Sequence, residues 1–329
     1  MKIKMVQGIL NVLIFIAVVV LVFVIGYPQY KELQPSHIRI GVDNSYGSLP
    51  FYAAKLDTSR KYFELEKINP EFIATNRDPL EAVKKGTVDI ASVPWYDLLL
   101  SAGMNGDTVK VIGSLELRAV SDAVIIPKKS TKIKSWKDLN GKRLGCLVAD
   151  EYLLNLMLPL MAQDNVKKIV KVPLKPDELT GAIKDNKADA LFLLDPYRSY
   201  MINQGDTVLY EGLIDRYIMN DFPYLAIVMR KGFLKTDIRA ATRMKNALDA
   251  AIGFLRVHPE IGKSTIVKIN DWSCDGALLF NIKMPEYQRL IEIDIKHVEE
   301  LQTLMVKAGT GSCGIRPQDL LFEKTDFTK

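Results

Sequence analysis

Residues 81–97, EAVKKGTVDIASVPWYD, and 181–197, GAIKDNKADALFLLDPY, follow one plan a hundred positions apart. Ala82/Ala182, Lys84/Lys184 and Asp89/Asp189 are identical, and Val83/Ile183 nearly so. In each copy a helical stretch ends at Gly86 or Asn186, residue types that tolerate the left-handed conformation of a helix C-terminus. A short apolar run follows, residues 90–93 or 190–194, which reads as a strand buried on both faces. Each run then meets a proline and an aromatic, Pro94-Trp95-Tyr96 and Pro196-Tyr197. Two such αβα units predict two α/β lobes of similar build, with a ligand cleft between them.

The chain has 329 residues, 48% hydrophobic and 25% charged, enough for two ordinary domains. Its net charge of +5 is modest, with no dense Lys/Arg block interleaved with aromatics, so nucleic acid is not an expected partner. Three histidines (His37, His258, His297) stand at no two-ligand spacing, and there is no CxxC. A zinc site or a histidine-based triad is hard to build from these. Neither a cofactor nor catalysis is expected, and a monomer is.

The N-terminus is a separate matter. Gly8 to Ile25 is apolar except for Asn11, just long enough to span ~30 Å of hydrocarbon. Lys2 and Lys4 precede it, which keeps the N-terminus cytoplasmic and exports the remainder. The apolar core exceeds that of a cleavable signal, and Val24-x-Gly26 is a weak cleavage site. Residues 1–27 are therefore expected to form a signal anchor rather than a cleaved signal peptide, tethering a periplasmic body through residues 8–27, with 28–37 as a linker. No cysteine occurs before Cys146, which excludes a lipoprotein anchor. An exported body can carry disulfides, and Cys274 and Cys313 are the candidate pair, against two free thiols. Cys146 lies in an apolar strand and reads as core.

Ile38–Val42 alternates as a first strand and ends at the turn-rich run 43–48, ahead of a helix from Leu49. Strands at 71–74, 89–93 and 109–115 alternate with helices at 78–85 and 95–103, which argues for a mainly parallel sheet. Ser135-Trp136-Lys137-Asp138 has capping-box form and opens a second series. Strands at 144–148, 169–172, 188–194 and 207–210 are expected there, with helices at 150–163 and 176–185. Ala123–Lys129 and Tyr224–Gly232 read as two strands crossing between lobes. Lobe 1 is then discontinuous, 38–126 plus 223–329, and lobe 2 is 127–222. Beyond 236 the pattern is helical at 238–258, 259–269, 284–291 and 295–308.

This organisation resembles the type II periplasmic solute-binding proteins of ABC importers, within them the group that binds sulfonates, taurine, nitrate or thiamine-pyrimidine precursors. The segments carrying the resemblance are Leu49-Pro50-Phe51-Tyr52-Ala53-Ala54-Lys55 with Tyr62-Phe63, then residues 82–91, 133–143, and Ala188-Asp189-Ala190 through Asp195-Pro196-Tyr197. They cover about 38–260, in the family's order. The resemblance implies a hinged α/β receptor of two lobes that closes on a small polar or nitrogenous solute and presents it to an inner-membrane ABC permease.

In an open α/β sheet, ligands sit beyond the C-terminal strand ends, where helix N-termini present free N–H groups. Four loops have that address. They offer Asn44, Ser45 and Tyr46 as polar contacts, Trp95 and Tyr197 as flat walls, and Asp150, Glu151 and Asp195 as acids; Arg118 is a candidate cation. Each has a plainer reading: Trp95 as packing, the acids as helix caps, Arg118 as a surface residue, and Asp89 and Asp189 as turn stabilisers. The family's anion binders tend to place small hydroxyl residues where Ala149-Asp150-Glu151 stands, so acids facing the cleft would favour a ligand with an amine or amidine edge. The rival readings are a membrane-tethered sensing module acting on a partner protein and a pyrimidine-precursor enzyme on the same scaffold.

Overall fold

The structure, a computed structural model, describes residues 2–27, 30, 33–56, 61–75, 78–105, 108–118, 120–128, 133–273, 275–310 and 314–323. Cys274 and Cys313 lie outside the described residues, and their pairing with them.

Among the described residues eleven strands form two sheets. In chain order they are β1 (Ser36–Val42), β2 (Ile68–Ala74), β3 (Ile90–Pro94), β4 (Val109–Leu117), β5 (Asp122–Ile126), β6 (Arg143–Leu147), β7 (Val170–Leu174), β8 (Ala190–Leu194), β9 (Thr207–Glu211), β10 (Phe222–Arg230) and β11 (Glu286–Arg289). One sheet runs β11-β4-β10-β3-β1-β2, the other β7-β6-β8-β5-β9. Leaving out the edge strand β11, both follow one order. A middle strand is flanked by the two strands parallel to it, and next comes the strand that has just arrived from the other sheet, β10 or β5, running antiparallel. The mainly parallel sheets expected from the βα alternation are therefore mixed. The arriving strands enter from the far lobe, so their direction is set by the crossing and not by a βαβ unit.

The chain crosses at 118–121, between β4 and β5, and returns through Gly212 and the helix Leu213–Tyr217 to β10. Strand 122–126 belongs to the second sheet, pairing with β8 and β9. Residues 122–126, expected to close the first segment of lobe 1, thus pair within the second sheet. Both crossings hold a non-glycine residue at positive φ, Val120 at 66° and Asp221 at 49°, and a β-branched residue there is a strained turn.

The repeat is realised atom by atom. Gly86 and Asn186 both take positive φ, 72° and 56°. Thr87 N–H donates to the Ala82 carbonyl (3.0 Å) and Gly86 N–H to Val83 (3.1 Å); Lys187 donates to Ala182 (2.8 Å) and Asn186 to Ile183 (3.1 Å). This is the Schellman closure, which satisfies carbonyls left over at the helix end. The strands behind it are wholly buried where expected: Ile90, Ala91 and Val93, and Ala190 to Leu194.

The C-terminal helices Ile238–Val257, Pro259–Ile269 and Ile295–Lys307 form as their periodicity predicts. Residues 284–291 do not: Pro285 interrupts a helix there, and Glu286–Arg289 pairs antiparallel with β4 at the sheet edge. At the N-terminus an α-helix spans Lys2–Val20 and widens into a π-helical stretch, Leu21–Gly26. Among the described residues no helix is long and apolar enough to cross a membrane, so the spanning segment expected from the sequence is not shown. The large side chains from Leu10 to Val24 nevertheless stand exposed, Phe15 at 69%.

Candidate functional site

The C-terminal ends of β1, β3, β6 and β8 meet where the lobes face each other. Helix starts follow each: Tyr46–Ser48 into Leu49–Leu56, Trp95–Asn105, Val148–Asp150 into Glu151–Met161, and Tyr197–Asn203. The lobes are in direct contact across this line. Tyr96 of lobe 1 stacks on Tyr152 of lobe 2, with ring centroids 4.7 Å apart. Tyr224 O–H donates to Asp150 Oδ1 at 2.8 Å. Tyr200 stacks on Trp272 at 4.3 Å, and Tyr197 O–H donates to Asn270 Oδ1 at 3.3 Å.

Asp150 is 2% exposed, and its side chain makes no cap bond to the helix behind it. Burial pushes its carboxyl up to about 6 against the pull of the Tyr224 hydroxyl. The capping role that a sequence reading allows is thus replaced by a contact to the opposite lobe. Glu151, the next residue, turns away and pairs with Lys171 at 2.9 Å.

Asp195 does cap: its Oδ1 accepts from Ser199 N–H at 3.1 Å. Its Oδ2 accepts from Lys283 N–H of lobe 1 at 3.3 Å, and Arg198 lies 3.6 Å away. Burial again lifts this carboxyl to about 6, with Ser199 and Arg198 opposing. The Lys283 carbonyl in turn accepts from Tyr46 O–H at 2.7 Å. Tyr46 is therefore a buried residue of lobe 1 joined to Asp195 through Lys283.

Trp95 is wholly buried and donates from Nε1 to Ser114 Oγ at 2.9 Å. It is a packing residue, because helix Trp95–Asn105 leans on the sheet with Trp95 inward; Tyr96, its neighbour, is the one that reaches the other lobe. Ser45 stays within its own loop, donating to Asp43 Oδ1 at 2.6 Å and accepting from Gly47 N–H. Asn44 is exposed, and its carbonyl accepts from Asn270 Nδ2 at 3.0 Å, which ties the loop to the Tyr197 phenol. Arg118 is 62% exposed and pairs with Glu286 on the edge strand. It lines a separate surface concavity of about 700 Å³ with Arg256, Met284 and Glu292. That concavity is open to solvent, which is not how a receptor excludes water from a ligand.

The junction thus gathers Asn44, Asp150, Asp195 and Tyr197 of the expected residues. Asp43, Tyr96, Tyr152, Tyr224 and Asn270 join them unforeseen. Asp43, Tyr96 and Tyr152 are immediate neighbours of predicted residues and were within reach; Tyr224 and Asn270 arrive from the return crossing and the C-terminal helices, where no local pattern marks them. Among the described residues no group of His, Cys, Asp and Glu is arranged to hold a metal ion.

No curated protein sequence matches the chain. Among solved structures it is similar to the alkanesulfonate-binding protein SsuA from Xanthomonas axonopodis pv. citri bound to MOPS, with TM-score 0.68, 17% identity, and 88% of this chain and 99% of that one covered. The periplasmic aliphatic sulphonate binding protein SsuA from Escherichia coli gives TM-score 0.65 at 16% identity, covering 90% and 100%. The desulfurization enzyme DSZB has the same fold, with TM-score 0.63 at 12% identity, covering 88% and 97%. The two-sheet, two-crossing architecture is that of periplasmic binding proteins. Residues 47–261 match the model of the family described as NMT1/THI5 like, and the chain belongs to that family.

Proposed function

We propose that this protein is the extracytoplasmic substrate-binding component of an ABC importer, taking a small polar or nitrogenous organic solute between its lobes and delivering it to a permease. The observation that carries the reading is the junction itself. Polar and aromatic groups from opposite lobes meet at the C-terminal strand ends, Asp150 on Tyr224 and Tyr152 on Tyr96, and among the described residues two crossings join the lobes. Ligand-dependent opening and closing about 118–121 and 212–221 is the motion such a connection allows. The solvent-exposed apolar helix ahead of the body supports a tether to the inner membrane, which would raise the receptor's effective concentration near a permease.

An enzyme on this fold needs a nucleophile or base at the junction. Cys146 is buried and its thiol is pushed up to about 12, chiefly by burial. His37 pairs with Glu71 on the strand face, and His297 with Glu116. Neither serves the cleft, and binding is the reading these residues favour.

The test is uptake. Solutes retained by the full-length protein through purification in detergent are identified by mass spectrometry, and their accumulation is compared in cells with and without the gene. Loss of accumulation on deletion is expected. Unchanged uptake of a solute that the protein binds would favour the tethered sensing module instead, and conversion of the solute by the pure protein would favour an enzyme.

A further inference from the structure

We infer that the solute is an organic cation bearing N–H groups, an amine or amidinium, held between Asp43 and Asp150 within a wall of tyrosines. The inference rests on the binding-protein reading above and names the ligand class for its cleft.

Asp43 follows β1 directly and Tyr224 lies on β10; β3 separates the two strands, with Pro94 opposite Leu225. Both residues therefore stand on the same edge of the sheet, and Tyr224 reaches across to Asp150. Asp43 receives three donors, Ser45 N–H, Ser45 Oγ and Ser48 Oγ, all at Oδ1. Asp150 receives one, Tyr224, also at Oδ1. Each carboxylate thus keeps an Oδ2 without a hydrogen-bond partner among the described residues, and neither has a cation beside it.

Independent of the acids, Tyr152 points to a missing partner. It is 7% exposed, its ring is fixed by the stack on Tyr96, and its hydroxyl is buried with no hydrogen bond. A buried polar group is ordinarily satisfied, and this one sits next to Asp150, whose charge helps push the phenol upward after burial. Asp43 and Asp150 both act in the same direction on Tyr197, so the two acids and this phenol share one neighbourhood.

Among the described residues no cation pairs with either acid, and the junction's Arg198 is taken by Asp195 and Glu211, so an anion placed here would meet two carboxylates. A sulfonate is therefore disfavoured, although relatives of the same fold take one. A cation with N–H groups reverses every sign: it supplies donors to both Oδ2 atoms, leaves Tyr152 an acceptor role, and meets π faces that attract positive charge.

The experiment uses the full-length protein in detergent, with matched ligands on one skeleton: 2-phenylethylamine and benzamidine against 2-phenylethanesulfonate and benzoate, together with whatever solute the protein retains from its cells. Asp43→Asn and Asp150→Asn keep every hydrogen bond the structure shows, because Asn Oδ1 still accepts, and convert only the free oxygen into a donor. Tyr152→Phe removes a hydroxyl that bonds to nothing in the structure, so it should weaken cation binding while leaving the fold intact. Calorimetry is expected to show cation binding without anion binding, with affinity falling about ten- to a hundredfold in either Asn variant and cooperative melting retained, Asp150→Asn melting no lower than wild type above neutral pH. Binding of the anions at equal or higher affinity, a retained solute without a basic nitrogen, cation affinity unchanged in both Asn variants, or no binding by any member of the panel would each overturn the inference. The two proposals fail separately: an anionic solute that is still imported sinks the cation assignment alone, whereas a bound amine whose uptake survives gene deletion sinks the importer reading alone.

Discussion

Asp89 and Asp189 each join two neighbouring strands through an arginine, and burial separates their energetics. Asp89 takes Arg39 N–H and guanidinium, with Arg230 added at 3.1 Å; Asp189 takes Arg143 in the same bidentate geometry. Burial pushes the Asp89 carboxyl up, but Arg39 and then Arg230 outweigh it and hold the group below the usual range. Its side chain is 5% exposed, that of Asp189 31%. Replacing Asp89 by Asn should therefore cost about 3 kcal/mol, since it leaves arginines beside an uncharged buried group. The same change at Asp189 should cost about 1 kcal/mol or less. Urea unfolding midpoints of the two variants measure the difference, and equal losses would contradict it. The shared aspartates of the repeat are scaffold, as their place before a buried strand implies; the arginine partners lie some fifty residues upstream and have no local mark.

Among elements, those with a strong local signature were legible. The Schellman ends at Gly86 and Asn186, the Ser135–Asp138 capping box and the long amphipathic helix Ile238–Val257 all form from neighbouring residues. Residues 284–291 were misread because their apolar spacing suits a helix, while an open edge on β4 offered pairing that no local pattern reveals. The N-terminal element yields a direct prediction. Its large apolar side chains between Leu10 and Val24 stand exposed, so membranes washed in alkaline carbonate should retain the full chain. A version lacking residues 1–27 should be released. Full extraction of the intact protein would refute the tether.

At the scale of the whole molecule, four carboxyls are raised to about 6, each primarily by burial: Asp97, Asp122, Asp150 and Asp195. Asp122 binds the Leu213 N–H at 2.7 Å in the return crossing, and Asp150 and Asp195 contact the opposite lobe. A native pKa above the unfolded value means that the native state binds more protons. Stability from these groups is full below about 4 and is lost as pH rises through 6. For one group, moving from near 4 to about 6 corresponds to roughly 3 kcal/mol. Glu292, held down to about 2 chiefly by Arg289, and Asp89 act oppositely, losing stability as pH falls below the ordinary carboxylate range. The ligand-free protein should therefore melt highest near pH 5, lower at 7.5 and lower again below 4. Asp150→Asn should flatten the alkaline side of that profile. A melting temperature that rises steadily from pH 5 to 7.5 would contradict this account.

The sequence by itself determined the two-lobe α/β plan, the paired helix–strand units and the loops that face the junction, because these follow from hydrophobic period and helix-end chemistry within a few residues. Only the tertiary structure decided which side chains on those loops turn inward. Trp95 was drawn into the core by a hydrogen bond to Ser114, and Tyr96 took its place at the junction. Asp150 was turned from its own helix by Tyr224, seventy-four residues away. Periodicity sets the face a residue occupies, but the partner that claims its polar atoms is brought by the crossing strands, and that information is spread over the whole chain.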